Sequence, residues 1–342
     1  MSKNNIYAIE IIGSRDYHAG SKARNDISLF LSEMGIPKIF FDREVGRLEK
    51  LIFLKHNIKR KLSKLNNKDI IIIQYPLPWK KYFTNFLIKM IKLKRLFTVV
   101  IIHDLESIRY STNPKSVNEE IRNLNKFDVI ISHNAKMTTF LKQSGVERKI
   151  IDLEIFDYYN PNPIKRVNNN KNQIIFAGNL NKARFISKLR NLKNELLLFG
   201  PNPQVYHSNN IKYMGSFPPD ELPLFLEGTY GLVWDGEAIN SCVGLFGEYL
   251  RYNNPHKTSL YLSSGLPVII WKDAALAEFI KNNNLGLLLS DLGKLDEEIE
   301  KVSNKEYELM RNNALEIARK IRNGYFIKTA IQKAKSFLLE DK

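Results

Sequence analysis

The chain has 342 residues, 44% of them apolar, and 52 Lys and Arg against 36 Asp and Glu give a formal net charge of +16. That length exceeds what one core usually serves, so two domains are expected, and a lone cysteine, Cys242, excludes an internal disulfide and fits a reducing compartment. No apolar run reaches the ~18 residues of a membrane span and no signal-peptide pattern precedes the first strand-like run, so the expectation is a cytoplasmic protein.

The predicted elements alternate. Ile6–Ile12 reads as a strand, followed by the polar loop "GSRDYHAGSKARND" and a helix to about Met34. Ile39–Phe41, Ile70–Gln74, Phe97–Ile102 and Val129–Ser132 are further strands, continuous apolar runs such as parallel strands covered on both faces carry. Amphipathic stretches lie between them, around 48–64, 80–95, 117–125 and 134–144. The stretch 157–172, "DYYNPNPIKRVNNNKN", breaks the pattern and reads as a linker. Alternation then resumes with strands at Gln173–Ala177, Glu195–Phe199, Gly231–Trp234 and Val268–Ile270 and helices at 181–191 and 218–227. Helices follow at 274–282, 293–302, 304–321 and 325–339. The pattern predicts an α/β protein of two doubly wound sheets, whose ligands bind in a cleft at the strands' carboxyl ends.

Candidate chemistry therefore lies on loops after strands. Gly13 and Gly20 allow close backbone approach in the first loop, but their spacing matches neither a dinucleotide fingerprint nor a phosphate loop, and a surface loop is the plain alternative. In "HDLESIR", Asp104 is placed to act as a general base, with His103 orienting or replacing it; otherwise Asp104 caps the next helix. No further His or acidic cluster completes a metal-ligand set. In "GNLNKARF", Gly178 with Lys182 and Arg184 suits a diphosphate, and Tyr213 is placed either to stack on a flat ring or to pack in the core.

The stretch "YNNPHKTSLYLSSGLPVIIW" reads as helix, tight turn and strand. Asn253 or Asn254 is expected to cap the helix and Pro255 to open it, leaving His256 and Lys257 exposed on its first turn. A lysine there opposes the helix dipole, so either it is merely solvated or an anion binds beside it.

Charge is uneven. Residues 1–165 hold 29 basic and 17 acidic residues, and residues 51–100 hold twelve basic residues and one acidic, Asp69. Within that span "KKYFTNFLIKMIKLKRLF" reads as a helix packed on the sheet, with a basic face suited to anionic headgroups as an alternative. Nucleic acid is not expected as a partner, because the aromatic residues are not interleaved with the basic ones in a recognised motif.

"IIHDLESIR", "ISHNAKM", "FAGNLNK", "GLVWDG" and above all "YNNPHKTSLYLSSGLPVI" resemble bacterial glycosyltransferases of the GT-B fold. The nearest in kind are β-1,6-galactofuranosyltransferases of O-antigen and capsule synthesis and the glucosyltransferase that extends N-acetylglucosamine on serine-rich adhesins. The resemblance implies two Rossmann-like domains facing a cleft: 1–160 for the acceptor, joined by a terminal helix at 325–342 that crosses back, and 161–324 for a UDP-sugar. Carried over by position, Lys182, Tyr213, Asn254 and Lys257 bind UDP, with Gly178, Asn179, Arg184 and His256 beside them. The loop holding Gly13 and Ser14 closes over sugar or acceptor. Retaining relatives carry a Glu-x7-Glu pair, whereas here Glu248 is followed eight positions later by His256. That departure favours inversion, with Asp104 as base and His103 and Asp16 behind it. No cofactor or metal is expected beyond the UDP-hexose donor. The expected acceptor is a lipid-linked glycan at the inner membrane surface, and a homo-oligomer is left open. A glucosyltransferase acting on glycosylated adhesin protein is the alternative transferase, and a UDP-sugar epimerase of the same architecture, a nucleic-acid-binding protein and a partner-binding relative without catalysis are the rival classes.

Overall fold

The computed structural model describes residues 5–12, 19–42, 48–111, 113–165, 173–206 and 208–340. The first lobe holds a parallel sheet of β1 (Ile6–Ile12), β2 (Lys38–Asp42), β3 (Ile70–Tyr75), β4 (Phe97–Ile102), β5 (Val129–Ser132) and β6 (Lys149–Asp152), in the order β2-β1-β3-β4-β5-β6. The second lobe's parallel sheet contains β7 (Gln173–Ala177), β8 (Glu195–Phe199), β9 (Ile211–Gly215), β10 (Tyr230–Val233), β11 (Val268–Trp271) and β12 (Gly286–Leu289), ordered β12-β11-β10-β7-β8-β9. In both, the runs of Ile, Val and Leu are buried on both faces because helices cover each side.

Three strands escape the sequence pattern: β6, β9 and β12. All are short and lie at sheet edges, where partial exposure replaces a continuous apolar run. Two expected helices shrink. The stretch 181–191 forms 3₁₀ turns Leu180–Lys182 and Arg184–Lys188, interrupted at Ala183, whose backbone leaves helical geometry. Residues 218–227 keep only the 3₁₀ turn Leu222–Phe225, in a segment punctuated by Pro218, Pro219 and Pro223.

The start of the expected linker is not loose. Asp157, Tyr158 and Asn160 are buried, and the Asp157 carboxylate accepts the backbone N–H groups of Phe326 (3.2 Å) and Ile327 (2.6 Å). It thus anchors the first turn of the final helix, Tyr325–Glu340, where free N–H groups favour an anion. Burial nevertheless raises that carboxyl to about 8. The final helix returns to the first lobe, burying Phe326, Ile327, Ala330, Ile331, Ala334 and Leu338, and Lys328 pairs with Glu33 at 2.7 Å.

Helix His256–Ser263 lies tight against the second sheet. Gly231 in β10 makes this possible, since a Cβ there would lie 2.1 Å from the Tyr261 ring. Tyr261 crosses to the neighbouring strand, where its hydroxyl accepts the Ala177 N–H at 2.7 Å. The front of this helix is thereby fixed beside the carboxyl end of β7.

Candidate active site between the two carboxyl edges

At the carboxyl end of β4, His103 is buried. Its Nε2 lies 2.7 Å from Gln74 Oε1, and its ring stacks on Phe156 with centroids 5.7 Å apart. Burial, then the positive charge of Arg24, hold its pKa well below the usual range, so it is a neutral, packed side chain bonded to Gln74. Asp104 next to it is part-exposed and paired with Arg109. Burial raises its carboxyl above the ordinary range and the Arg109 charge opposes this. Asp104 does not cap the following helix, Glu106–Arg109. The Glu106 and Ser107 N–H groups donate instead to Glu120, at 3.2 and 3.0 Å.

Asn254 has a different use from the one its position suggested. Its amide donates to the backbone oxygens of His133 (2.6 Å) and Glu154 (3.1 Å), its Oδ1 accepts from Asn134 (2.7 Å), and its N–H donates to His133 Nδ1 (2.9 Å). Every polar atom of the side chain is spent on the first lobe, so Asn254 latches the lobes together and neither caps a helix nor faces an open ligand site. Since Nδ1 of His133 accepts, its Nε2 carries the proton and donates to Ile102 O at 3.1 Å. Burial takes this imidazole down to about 3, so it stays neutral.

The helix is capped by backbone alone, with Pro255 at the N-cap and no side-chain cap bond. His256 is not exposed on the first turn. Its ring packs near Phe156 and Tyr158, and its Nε2 is buried without a hydrogen-bond partner. Burial lowers its pKa to about 3. Its neighbour Lys257 turns to the sheet edge: Nζ donates to Asp235 Oδ1 (2.7 Å) and Trp234 O (3.2 Å) and lies 4.5 Å from the Phe176 ring centre. Nζ also lies 3.9 Å from where a Cβ on Gly178 would stand. Gly178 and Lys257, seventy-nine residues apart in sequence, therefore share one spot.

Lys182 is half-buried, with its ammonium 4.4 Å from the Phe246 ring centre. Burial lowers its pKa, as do the charges of Arg109 and Lys257, while Asp235 and Asp104 pull it upward. Phe246, under the Lys182 ammonium, also meets the Tyr110 ring at 6.4 Å, next in sequence to Arg109, so Lys182 stands between the Arg109–Asp104 and Lys257–Asp235 ion pairs in the electrostatics of the site. Tyr213 on β9 is exposed and donates to Gly200 O at 3.1 Å, close to Gly178, leaving its ring free to stack. Asn179 caps the turn at Leu180 and also accepts from Asn202 at 3.2 Å. Arg184 is exposed and 3.6 Å from Glu237. Gly13, Ser14 and Asp16 lie outside the described residues. Among the described residues, no three His, Cys, Asp or Glu side chains gather where a metal ion could be held.

Sequence reasoning left Arg109, Asp235, Phe246 and Tyr249 without roles. Asp235 ends "GLVWD" as Asp104 ends "VVIIHD", so the same loop-after-strand signal was available. Tyr249 carries no sequence signal, because its partner, Leu105, lies 144 residues away.

Comparison with known proteins places this geometry. The family model described as the glucosyltransferase 3-like N-terminal domain matches residues 5–155, and its C-terminal counterpart matches residues 174–334. The β-1,6-galactofuranosyltransferase WbbI of Escherichia coli (strain K12) is 33% identical over 320 residues, covering 92% of this chain and 93% of its own. Glucosyltransferase 3 of Streptococcus gordonii is 24% identical over 316 residues, covering 90% and 92%. Among solved structures, Anabaena Alr3699/HepE in complex with UDP-glucose aligns with a TM-score of 0.61 at 14% identity, covering 97% of this chain and 99% of that one. The chain accordingly belongs to the glucosyltransferase 3-like family and has the two-lobed GT-B fold.

Proposed function

We propose that the protein transfers a hexose, galactofuranose or glucose, from a UDP-sugar to a hydroxyl of a glycan acceptor in cell-surface polysaccharide synthesis. The acceptor is lipid-linked and met at the inner membrane face. The observation that carries this reading is the meeting of Lys257 with Gly178 at the carboxyl edge of the second sheet, with Lys182 on Phe246 nearby and Asp104 at the carboxyl edge of the first sheet. Relatives named for galactofuranosyl and glucosyl transfer, and a fold neighbour bound to UDP-glucose, support the donor class.

In the proposed reaction the acceptor oxygen bonds to the anomeric carbon as the bond to UDP breaks. UDP departs with the electron pair and the acceptor proton passes to Asp104. A raised carboxyl pKa makes Asp104 a better base, once the acceptor or diphosphate draws Arg109 aside. Lys257, Lys182 and the N-terminal turn of helix His256–Ser263 meet the charge growing on the diphosphate. Inversion fits the side chains present: Glu248 bonds Arg251 at 2.9 Å, and half-buried His256 stands near where a second acid would be expected.

Thermal-shift screening with UDP and a panel of UDP-sugars, followed by product analysis with and without a glycan acceptor, tests the reading. UDP is expected to raise the melting temperature by mass action, and sugar is expected to move only when acceptor is present. No response to any uridine nucleotide, or UDP-sugar converted without acceptor, would overturn it.

A further inference from the structure

The helices Leu48–Ser63 and Lys81–Leu93 pack side by side on one face of the first sheet. Their inner stripes, Leu54, Ile58 and Leu62 and Phe83, Leu87 and Ile91, are buried in the core. A helix facing only water carries polar residues on its outer face. Here Ile52, Phe53 and Tyr82 are instead 73%, 63% and 54% exposed. Lys55 bridges the helices, its Nζ lying 4.7 Å from the Tyr82 ring centre.

Cations continue this outer face toward the helix C-termini, Lys59 and Lys89 lying two turns beyond Ile52 and Tyr82. Lys59, Arg60, Lys89 and Lys92 are exposed. The one acidic residue of 51–100, Asp69, is buried and accepts the N–H groups of Asn5 (2.9 Å) and Asn66 (2.8 Å), so it neutralises nothing outside. The cations also crowd one another: Lys126, on the flank, has its ammonium pKa lowered by burial and then by Lys92, Lys81 and Arg122.

Topology sets where the patch lies. Both helices leave the carboxyl ends of their strands, β2 and β3, and Ile52, Phe53 and Tyr82 fall in their first two turns. The patch therefore rims the edge of the sheet from which Asp104 projects on adjoining β4.

We propose that this face docks on an anionic lipid surface, with Ile52, Phe53 and Tyr82 entering the headgroup–acyl boundary and Lys59, Lys89 and Lys92 meeting lipid phosphates. A bilayer seated there would present a lipid-linked acceptor at the mouth of the cleft. The inference deepens the proposed function by naming the surface that brings enzyme and acceptor together, and rests on that reading for its purpose. Binding itself is measurable without turnover.

The test is flotation of the full chain with vesicles of phosphatidylglycerol and phosphatidylcholine, against phosphatidylcholine alone. The wild type is expected to bind the anionic vesicles at least about tenfold better and to be released by salt. A Lys59→Glu, Lys89→Glu, Lys92→Glu variant and an Ile52→Glu, Phe53→Glu variant are expected to lose that binding about tenfold or more. Both should keep the wild-type melting temperature, UDP response and turnover on a water-soluble acceptor. Failure of the wild type to float, equal binding to both vesicles, or unaltered binding by the variants would overturn the proposal. So would a dimer split by Ile52→Glu, Phe53→Glu in the absence of vesicle binding, which would assign the patch to self-association. A chain that floats but ignores UDP removes the function reading and leaves this one; a chain that responds to UDP but does not float does the reverse.

Discussion

The Tyr249 hydroxyl accepts the backbone N–H of Leu105 at 2.9 Å, so a side chain of the second lobe holds the first-lobe loop that carries Asp104. That hydroxyl's proton has Asp104 as a neighbour and helps hold its carboxylate ionised. Tyr249→Phe would leave a buried N–H without its acceptor, costing about 1–3 kcal/mol in urea unfolding. Because the position of Asp104 also loosens, kcat is expected to fall while the KM for UDP-sugar holds. Wild-type stability and kcat together would mean the bond does nothing.

Lys257 lies 2.7 Å from Asp235, a counter-ion that keeps the ammonium poised at the sheet edge. Lys257→Ala is expected to lower turnover by at least about tenfold and weaken UDP binding measured by calorimetry. Asp235→Asn, which keeps the cation, should lose less. Unchanged kinetics in Lys257→Ala would refute its part in gripping diphosphate.

Asp104 must be ionised to take a proton, and burial raises its pKa. The acid limb of kcat/KM should therefore lie above the ordinary aspartate value of about 4, with activity lost as pH falls through it. Asp104→Asn is expected to cost about 10²–10⁴-fold in kcat and to abolish that limb. A variant within tenfold of wild type, with the limb intact, would move the base elsewhere.

Gly200 and Gly178 meet where β8 and β7 end. A Cβ on Gly200 would stand 1.9 Å from Gly178 O, and its φ of +139° disfavours any side chain. Gly200→Ala is therefore expected to push the two loops apart, lowering the melting temperature and loosening UDP binding. Retention of wild-type UDP affinity would show that the loop pair does not shape the donor site.

Turnover is expected to persist in excess EDTA if Lys182 and Lys257, as proposed, meet the charge of the diphosphate. Strict dependence on added Mn²⁺ or Mg²⁺ would count against that assignment.

Periodicity made the two sheets legible, because strands covered on both faces must be continuously apolar, as Ile70–Ile73 and Val99–Ile102 are. Chain order likewise marks loops after strands as the place for chemistry, where Asp104 and Gly178 lie, while Lys257 is marked by its place on the first turn of a helix. The edge strands β6, β9 and β12 were not legible, because half-exposed segments need no such pattern.

What the amino-acid sequence by itself determined is this alternation and the residue types delivered to the cleft edges; those depend on local burial, which repeats along the chain. Only the tertiary structure decided that Asn254 spends its amide on His133 and Asn134, that His256 packs against the rings of Phe156 and Tyr158, and that Arg109 and Tyr249 frame Asp104. Hydrogen bonds join groups wherever the folded chain brings them within about 3 Å. For most of these pairs the partners lie a hundred or more residues apart, a distance over which no sequence period carries information.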